Sequence, residues 1–394
     1  MKMRKSKVIS IGIISISILL LVGGLFVYFY LKNKDNNELA TPNPNANSYK
    51  INDDKSFIGD IWNLIDDNVI TNKSSDSVSN YSYIRSKVSD HSPIGMKLNI
   101  DNQVYNVGHW NTLNFTFSKD RQEKVNNISK TILFYKFDLI GLTEINANTV
   151  TETNKENATY FINYINGLIP KDERNNREYD IIVSNNTTSQ FAAAGQSEQV
   201  AILYNKNKFK PIEYTNLTIK NDAIVGNGYF YSNPLTDFSK DTSRKYDYVR
   251  SPFGTMFNLV NSTIEYPITF LFSHFDSPGA SSSSQNKKTE IMVDGIGSQE
   301  YYEAYNIKNV LSEFEEKFNN KNIIFMGDTN IKTNKQKTAF NEKELNLSNY
   351  NFLFKDSLEY ATSLATVKTV EKYPNDKLKW YSNPYDKIIY SLKN

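Results

Sequence analysis

Apolar and polar positions change period several times along the chain, and each change predicts an element. Residues 8–31 form a 24-residue run without a charge, long enough to span a bilayer and longer than a signal peptide's apolar region. A polar stretch with two prolines follows at 32–49 and reads as a flexible tether. Phe57, Ile58, Ile61, Trp62, Leu64, Ile65 and Val69 fall at helical spacing, and 71–80 reads as a Ser/Asn-rich loop. His91, just before Ser92-Pro93, reads as a surface histidine in a second loop. Strands and helices then alternate. Val104, Asn106, Gly108 and Trp110 alternate with Tyr105, Val107 and His109, as a strand over 97–110 would. Asp120 caps a helix running to Tyr135, and 137–143 is a second apolar strand. Helices over 154–169 and 299–318 and strands over 179–184, 197–204, 267–272 and 323–326 continue the pattern, which closes on Ile388-Ile389-Tyr390. Hairpin-like strand pairs interrupt the alternation, so the fold class is α/β with mixed sheets.

The strands deliver polar residues at their ends. The run from Ile323 to Met326 breaks at Gly327 and presents Asp328 and Asn330 two residues apart, on one side of an extended chain. That is where α/β sheets place ligands. Glu144 follows the strand at 137–143, while Asn111, by itself, reads as a turn residue. Glu198 stands near the start of its strand and alone reads as an edge charge; Arg250 precedes Ser251-Pro252. His274 ends the strand at 267–272 and runs into Ser277-Pro278-Gly279, a placement that suits proton transfer. Asp386 comes immediately before the final apolar run.

Composition narrows the chemistry. Without cysteine there are no disulfides, thiol nucleophiles or thiolate zinc sites, and three histidines leave little room for zinc. Carboxylates and carboxamides with one strand-end histidine suit Mg²⁺, with Ca²⁺ or Mn²⁺ as alternatives, and match phosphodiester hydrolysis. Of the net charge of +2, Lys2, Arg4, Lys5 and Lys7 supply more than the whole, leaving 41 basic against 43 acidic residues over 8–394. No global basic field advertises a nucleic-acid partner, so that claim must come from the site. The basic segment 1–7 favours the cytoplasmic side, which makes 8–31 an uncleaved single-pass signal anchor and sends the rest outside the cell.

In order, the motifs Gly-His-Trp-Asn-Thr-Leu-Asn-Phe (108–115), Asp-Leu-Ile-Gly-Leu-Thr-Glu (138–144), Ser-Glu-Gln-Val-Ala-Ile-Leu-Tyr (197–204), Ser-His-Phe-Asp-Ser-Pro (273–278), Met-Gly-Asp-Thr-Asn (326–330) and Tyr-Asp-Lys-Ile-Ile (385–389) resemble the DNase I-like endonuclease/exonuclease/phosphatase superfamily. With the anchor and the Asn/Lys-rich composition, the chain looks most like the membrane nucleases of wall-less bacteria. The resemblance implies a four-layer sandwich of two packed mixed sheets flanked by helices. It implies metal at Glu144 with Asn111 beside metal or phosphate, Glu198 orienting a catalytic His274, and Asp328 activating water. Asn330 would hold a phosphate oxygen, Arg250 would grip the nucleic-acid backbone, and Asp386 would orient a second histidine. The family closes with a strand carrying Ser-Asp-His, whose Asp helps bind metal and whose His stabilises the attacked phosphate. No histidine follows His274, and Asn394 comes eight residues after Asp386. The expectation is therefore a nuclease domain over 98–394 that lacks its last strand, leaving Asp386 nothing to orient, behind a linker at 32–50 and an extension of no assigned role at 51–97. The substrate expected is DNA, with RNA left open, and no protein partner is indicated. Two other readings stand beside it: a same-fold phospholipid phosphodiesterase of the sphingomyelinase kind, and a non-catalytic surface protein that binds DNA or another ligand.

Overall fold

In the computed structural model, residues 50–393 are described apart from 52–56, 60–63, 65–69, 71–75, 149, 190–196, 214–218, 220, 237–245 and 280–290. The anchor expected at 8–31, the tether and most of the helix expected over 57–69 lie outside the described residues. Among the described residues no helix is long and apolar enough to cross a membrane.

In chain order the strands are β1 (Lys50–Ile51), β2 (Phe57–Ile58), β3 (Ile94–Ile100), β4 (Gln103–Phe115), β5 (Leu139–Asn146), β6 (Tyr179–Ser184), β7 (Glu198–Asn205), β8 (Phe209–Pro211) and β9 (Ala223–Val225). They continue as β10 (Tyr229–Phe230), β11 (Phe253–Leu259), β12 (Ile268–His274), β13 (Met292–Val293), β14 (Ile296–Gly297), β15 (Ile323–Asp328), β16 (Asn351–Phe352) and β17 (Asp386–Ser391). The first sheet runs β1-β3-β4-β5-β7-β6-β9 with β2 on β3; the second runs β10-β11-β12-β15-β17-β16 with β8 on β11. Both are mixed. β4 and β5 are parallel, as are β12 and β15, whereas β3 on β4 and β17 on β15 are antiparallel.

Side-chain alternation explains the layers. Along β5, Leu139 points into an apolar core between the sheets, with Ile324, Met326 and Phe270 from the second sheet. Ile140 and Leu142 point the other way, onto helices α1 (Ser77–Lys87), α2 (Gln122–Phe134) and α3 (Thr151–Leu168). The second sheet buries Leu271, Phe325 and Ile389 beneath helices α4 (Ser298–Tyr305) and α5 (Ile307–Phe318). Two packed mixed sheets between helical layers make the expected sandwich. At Gly141 the sheets come so close that a Cβ would stand 2.0 Å from the Phe272 ring, which is why a glycine interrupts the apolar run.

The amino-terminal boundary differs from the expected one. Residues Tyr49–Lys393 form one unit, and β3 pairs with β4 from Ile94 opposite His109 to Ile100 opposite Gln103. The described strands β2 and β3 and helix α1, all before residue 98 or spanning it, are thus part of the sandwich rather than an extension outside it. Phe57 and Ile58 form a strand on β3, not the start of a helix. The loop expected over 71–80 ends at Asp76, whose carboxylate accepts the backbone N–H groups of Val78 (3.2 Å) and Ser79 (2.9 Å) and caps α1.

Candidate active site

Strand register gathers the polar residues at one end of the sandwich. In the second sheet His274 lies opposite Asp328, and Asp328 lies opposite Asp386. In the first sheet Asn111 lies opposite Thr143, beside Glu144. β7 begins at Glu198 opposite Asn146. A cavity of about 620 Å³ opens there, lined by Glu144, Glu198, Arg250, His274, Asp328 and Asn330 among others. Backbone conformation is unusual around it: Leu113, Asn114, Glu144 and Asn330 all adopt left-handed φ, from 49° to 56°. Non-glycine residues rarely adopt it, and such strain clusters at functional sites. At Glu144 it accompanies a bulge in both of β5's pairings, which re-aims the carboxylate.

Asn111 sits at the centre. Its amide nitrogen donates to Glu144 Oε1 and to Asp328 Oδ2, both at 2.9 Å, while its oxygen accepts the Leu113 N–H at 3.0 Å. Asn111 thus bridges the two carboxylates through its nitrogen, while its oxygen keeps a second lone pair. Glu144 Oε2 also accepts the Asn114 N–H, and Asp328 Oδ1 accepts the Asn330 N–H. The Asn330 side chain reaches the Phe275 carbonyl at 3.3 Å.

On one flank, His274 Nδ1 lies 3.0 Å from Glu198 Oε2, and its Nε2 faces Glu144 (3.8 Å) and Asp328 (3.9 Å). Arg250 Nε meets Glu198 Oε1 at 2.7 Å, and Nη1 donates to the Phe275 carbonyl. Arg250 is 4% exposed, and from the cavity wall its guanidinium braces Glu198. Burial alone would raise the Glu198 pKa, but Arg250 and His274 outweigh it and hold the carboxyl at about 2. Burial and Arg250 both press His274 downward; Glu198 and Glu144 overcome them and leave its pKa raised.

The other flank holds what the sequence reading missed. Asp386 does have an imidazole to orient: His91 Nδ1 lies 2.7 Å from Asp386 Oδ2, and His91 Nε2 faces Asp328 at 3.5 Å. A third histidine backs the pair, with His109 Nδ1 3.1 Å from Asp386 Oδ1 and its Nε2 3.0 Å from the Thr143 hydroxyl. His91 is 7% exposed, and its neighbours fix it. Ser89 Oγ donates to the Asn111 carbonyl and accepts the His91 N–H, and Trp110 Nε1 donates to the His91 carbonyl. The tripeptide is Ser89-Asp90-His91, the terminal motif found at the amino side. The signal was legible as those three letters; only its position was unexpected.

Burial pushes the His91 pKa down, but Asp328, Asp386 and Asp90 together raise it to about 10. Asp386 is held well below its ordinary value by His91 and His109, against its burial. A group whose pKa rises on folding stabilises the fold below its unfolded value, 6.5, and ceases to as pH passes about 10. In EDTA, the melting temperature of the chain is expected to fall across that window, and that of H91Q to fall less. Equal slopes would show that His91 is not protonated in the fold.

The donor set fits a hard cation. Among the described residues no three carboxylate or imidazole groups converge to hold an ion by themselves. Magnesium does not ask for that, because it keeps several waters and binds one or two carboxylates plus substrate phosphate oxygens. Glu144 and Asp90 both line the cavity with oxygen donors, and the chain offers no thiolate.

Two carboxylate-held histidines facing a bridged pair of carboxylates, with Ser-Asp-His in place, decide the likeness. The chain resembles the endonuclease/exonuclease/phosphatase superfamily. No family model matches the sequence. An uncharacterized protein of Mycoplasma pneumoniae is 24% identical, over 73% of this chain and 78% of its own. Among solved structures, an endonuclease/exonuclease/phosphatase family protein from Bacteroides thetaiotaomicron is 14% identical, covering 76% of this chain and 83% of that one, with a TM-score of 0.38. A mannosyl-6-phosphatase from the same species is 14% identical, covering 72% and 84%, with a TM-score of 0.36. The chain's own two-histidine arrangement combines His91, ahead of β3, with the strand-end His274.

Proposed function

We propose that this chain is a metal-dependent nuclease, hydrolysing phosphodiester bonds of DNA or RNA. One observation carries the reading: two buried imidazoles, each held through Nδ1 by its own carboxylate, turn Nε2 toward Asp328, with Glu144 beside the second of them, His274. A phosphodiester seated between them meets a group for each task. Asp328 orients the attacking water and takes its proton as the new P–O bond forms. His274, whose hold on a proton Glu198 strengthens, gives a proton to the leaving oxygen as the old bond breaks. His91, kept cationic by Asp386, faces the charge that develops on the phosphate. Asn330 holds a non-bridging oxygen. Glu144 and Asp90 would hold Mg²⁺, Ca²⁺ or Mn²⁺, which supplies charge neutralisation at the phosphate. The non-catalytic reading rested on a missing second imidazole, and His91 removes that ground.

The test is full-length chain in detergent with plasmid DNA, in Mg²⁺ or in EDTA, beside H274A and beside sphingomyelin vesicles as the competing substrate. Metal-dependent cutting is expected, with the variant slower by about 100–10,000-fold. Hydrolysis of the vesicles alone would make the chain a phospholipid phosphodiesterase. We also propose that residues 8–31 anchor it to the membrane with the nuclease outside, supporting nucleotide scavenging. Protease added to intact cells should then remove the activity; resistance of the domain would place it inside.

A further inference from the structure

The cavity holds no excess of positive charge to draw in a polyanion. Asp90, Glu144, Glu198 and Asp328 line it against Arg85, Arg250, His91 and His274, and both guanidiniums already face carboxylates. A nucleic-acid strand needs cations beyond the cavity, and one segment supplies them. Between Leu364 and Ser382, which both line the cavity, the chain leaves the sandwich and returns. Leu364 pairs with Tyr381 at its base. The Tyr81 hydroxyl reaches the carbonyls of Ala365 (2.6 Å) and Trp380 (2.9 Å), and Arg85 Nη1 reaches those of Leu364 and Ala365, clamping the base onto α1. The excursion carries a short helix, Val367–Lys372, and a fully exposed run from 371 to 379. Lys368, Lys372, Lys377 and Lys379 are all exposed. Tyr373 and Leu378 stand out among them at 38% and 82% exposure, with the Lys372 ammonium 5.2 Å from the Tyr373 ring centre.

We propose that residues 366–379 form a binding wing that holds the phosphate backbone of a nucleic-acid strand beside the cavity, with Tyr373 offering a face for a base. Exposed ammonium groups interleaved with an aromatic ring are the chemistry that holds single strands without reading sequence. Among the described residues none of the four lysines shares an ion pair with a carboxylate, so their charge is available. The clamped base keeps the wing in fixed register with the site. Against Glu371 and Asp376 in the same segment, the four lysines leave the wing a net charge of +2, where residues 8–394 as a whole sum to −2. The inference rests on the nuclease reading, and it names where that enzyme's substrate lies.

The test measures binding without turnover. Full-length chain in EDTA is titrated against a fluorescein-labelled 20-nucleotide single strand at 50 to 300 mM salt. The four wing lysines are changed to glutamine in one variant. In a control variant of equal charge, Lys136, Lys171, Lys206 and Lys210, all exposed and none of them lining the cavity, are changed instead. Melting temperatures confirm that both are folded. The wing variant is expected to bind about tenfold or more weakly, its salt slope smaller by about 0.7 per lysine engaged, while the control stays near wild type. Equal losses in both variants, no loss in either, or no binding by the unaltered chain would each overturn the wing. So would retained DNA binding with lost affinity for anionic lipid vesicles, which would make the segment a membrane contact. Strand binding through the wing without Mg²⁺-dependent cutting would uphold the wing and defeat the nuclease reading, so the two fail separately.

Discussion

H91Q is expected to remove nearly all phosphodiester hydrolysis while leaving a folded protein. His91 stands 295 positions from Asp386 in sequence, yet their side chains meet at 2.7 Å inside the site. Loss of a preorganised donor to a developing oxyanion costs about 100–1,000-fold in rate, and general acid-base roles reach about 10,000-fold. Glutamine keeps a donor for Asp386 and so limits the structural damage. Alanine would leave a buried carboxylate short of its cation, at a cost of about 3–5 kcal/mol. Comparing kcat with melting temperature separates the two effects. H91Q with near-native kcat would defeat the assignment. The same reasoning predicts that appending a second Ser-Asp-His segment after residue 394 adds no activity, since Asp386 already has its imidazole.

The second large effect comes from cutting the chain at the boundary first read from the sequence. A protein made from residue 98 onward is expected not to fold. It loses half of β3, all of α1 and, with them, Tyr81, Ile84, Val88, Ile94 and Met96, each no more than 1% exposed. At about 1.5–3 kcal/mol per buried apolar side chain, the loss is on the order of the 5–15 kcal/mol that holds a whole domain together. It also strips the hydrogen-bond partners of β4 along that edge. Circular dichroism during heating would decide: no cooperative transition is expected, while a sharp melt with retained cutting would show that 51–97 is dispensable.

Much of the site was legible because its residues sit at the ends of apolar runs. Asp328, Glu144 and His274 could be read that way, and register then brings them together. The partnership of Glu198 with His274 followed from the ordered motifs and holds at 3.0 Å. What failed was of two kinds. His91 lies among Ser89, Ser92 and Pro93, a composition typical of exposed turns, and its burial arises from Trp110, Thr362 and Asp386, distant contacts that no local pattern announces. Helix α1 is Ser-rich and weakly amphipathic, so its one strong signal was the Asp76 cap. The other kind was conformational: the left-handed turn at Glu144 is written in the pairing of β5 with both neighbours, and Arg250's bracing role in where Glu198 happens to point.

The span between His91 and Asp386 also sets a clock on synthesis. His91 leaves the ribosome 295 residues ahead of its carboxylate partner. Until Asp386 has emerged, that imidazole lacks the carboxylate that holds it. The two-histidine arrangement is therefore complete only once β17 has closed against β15.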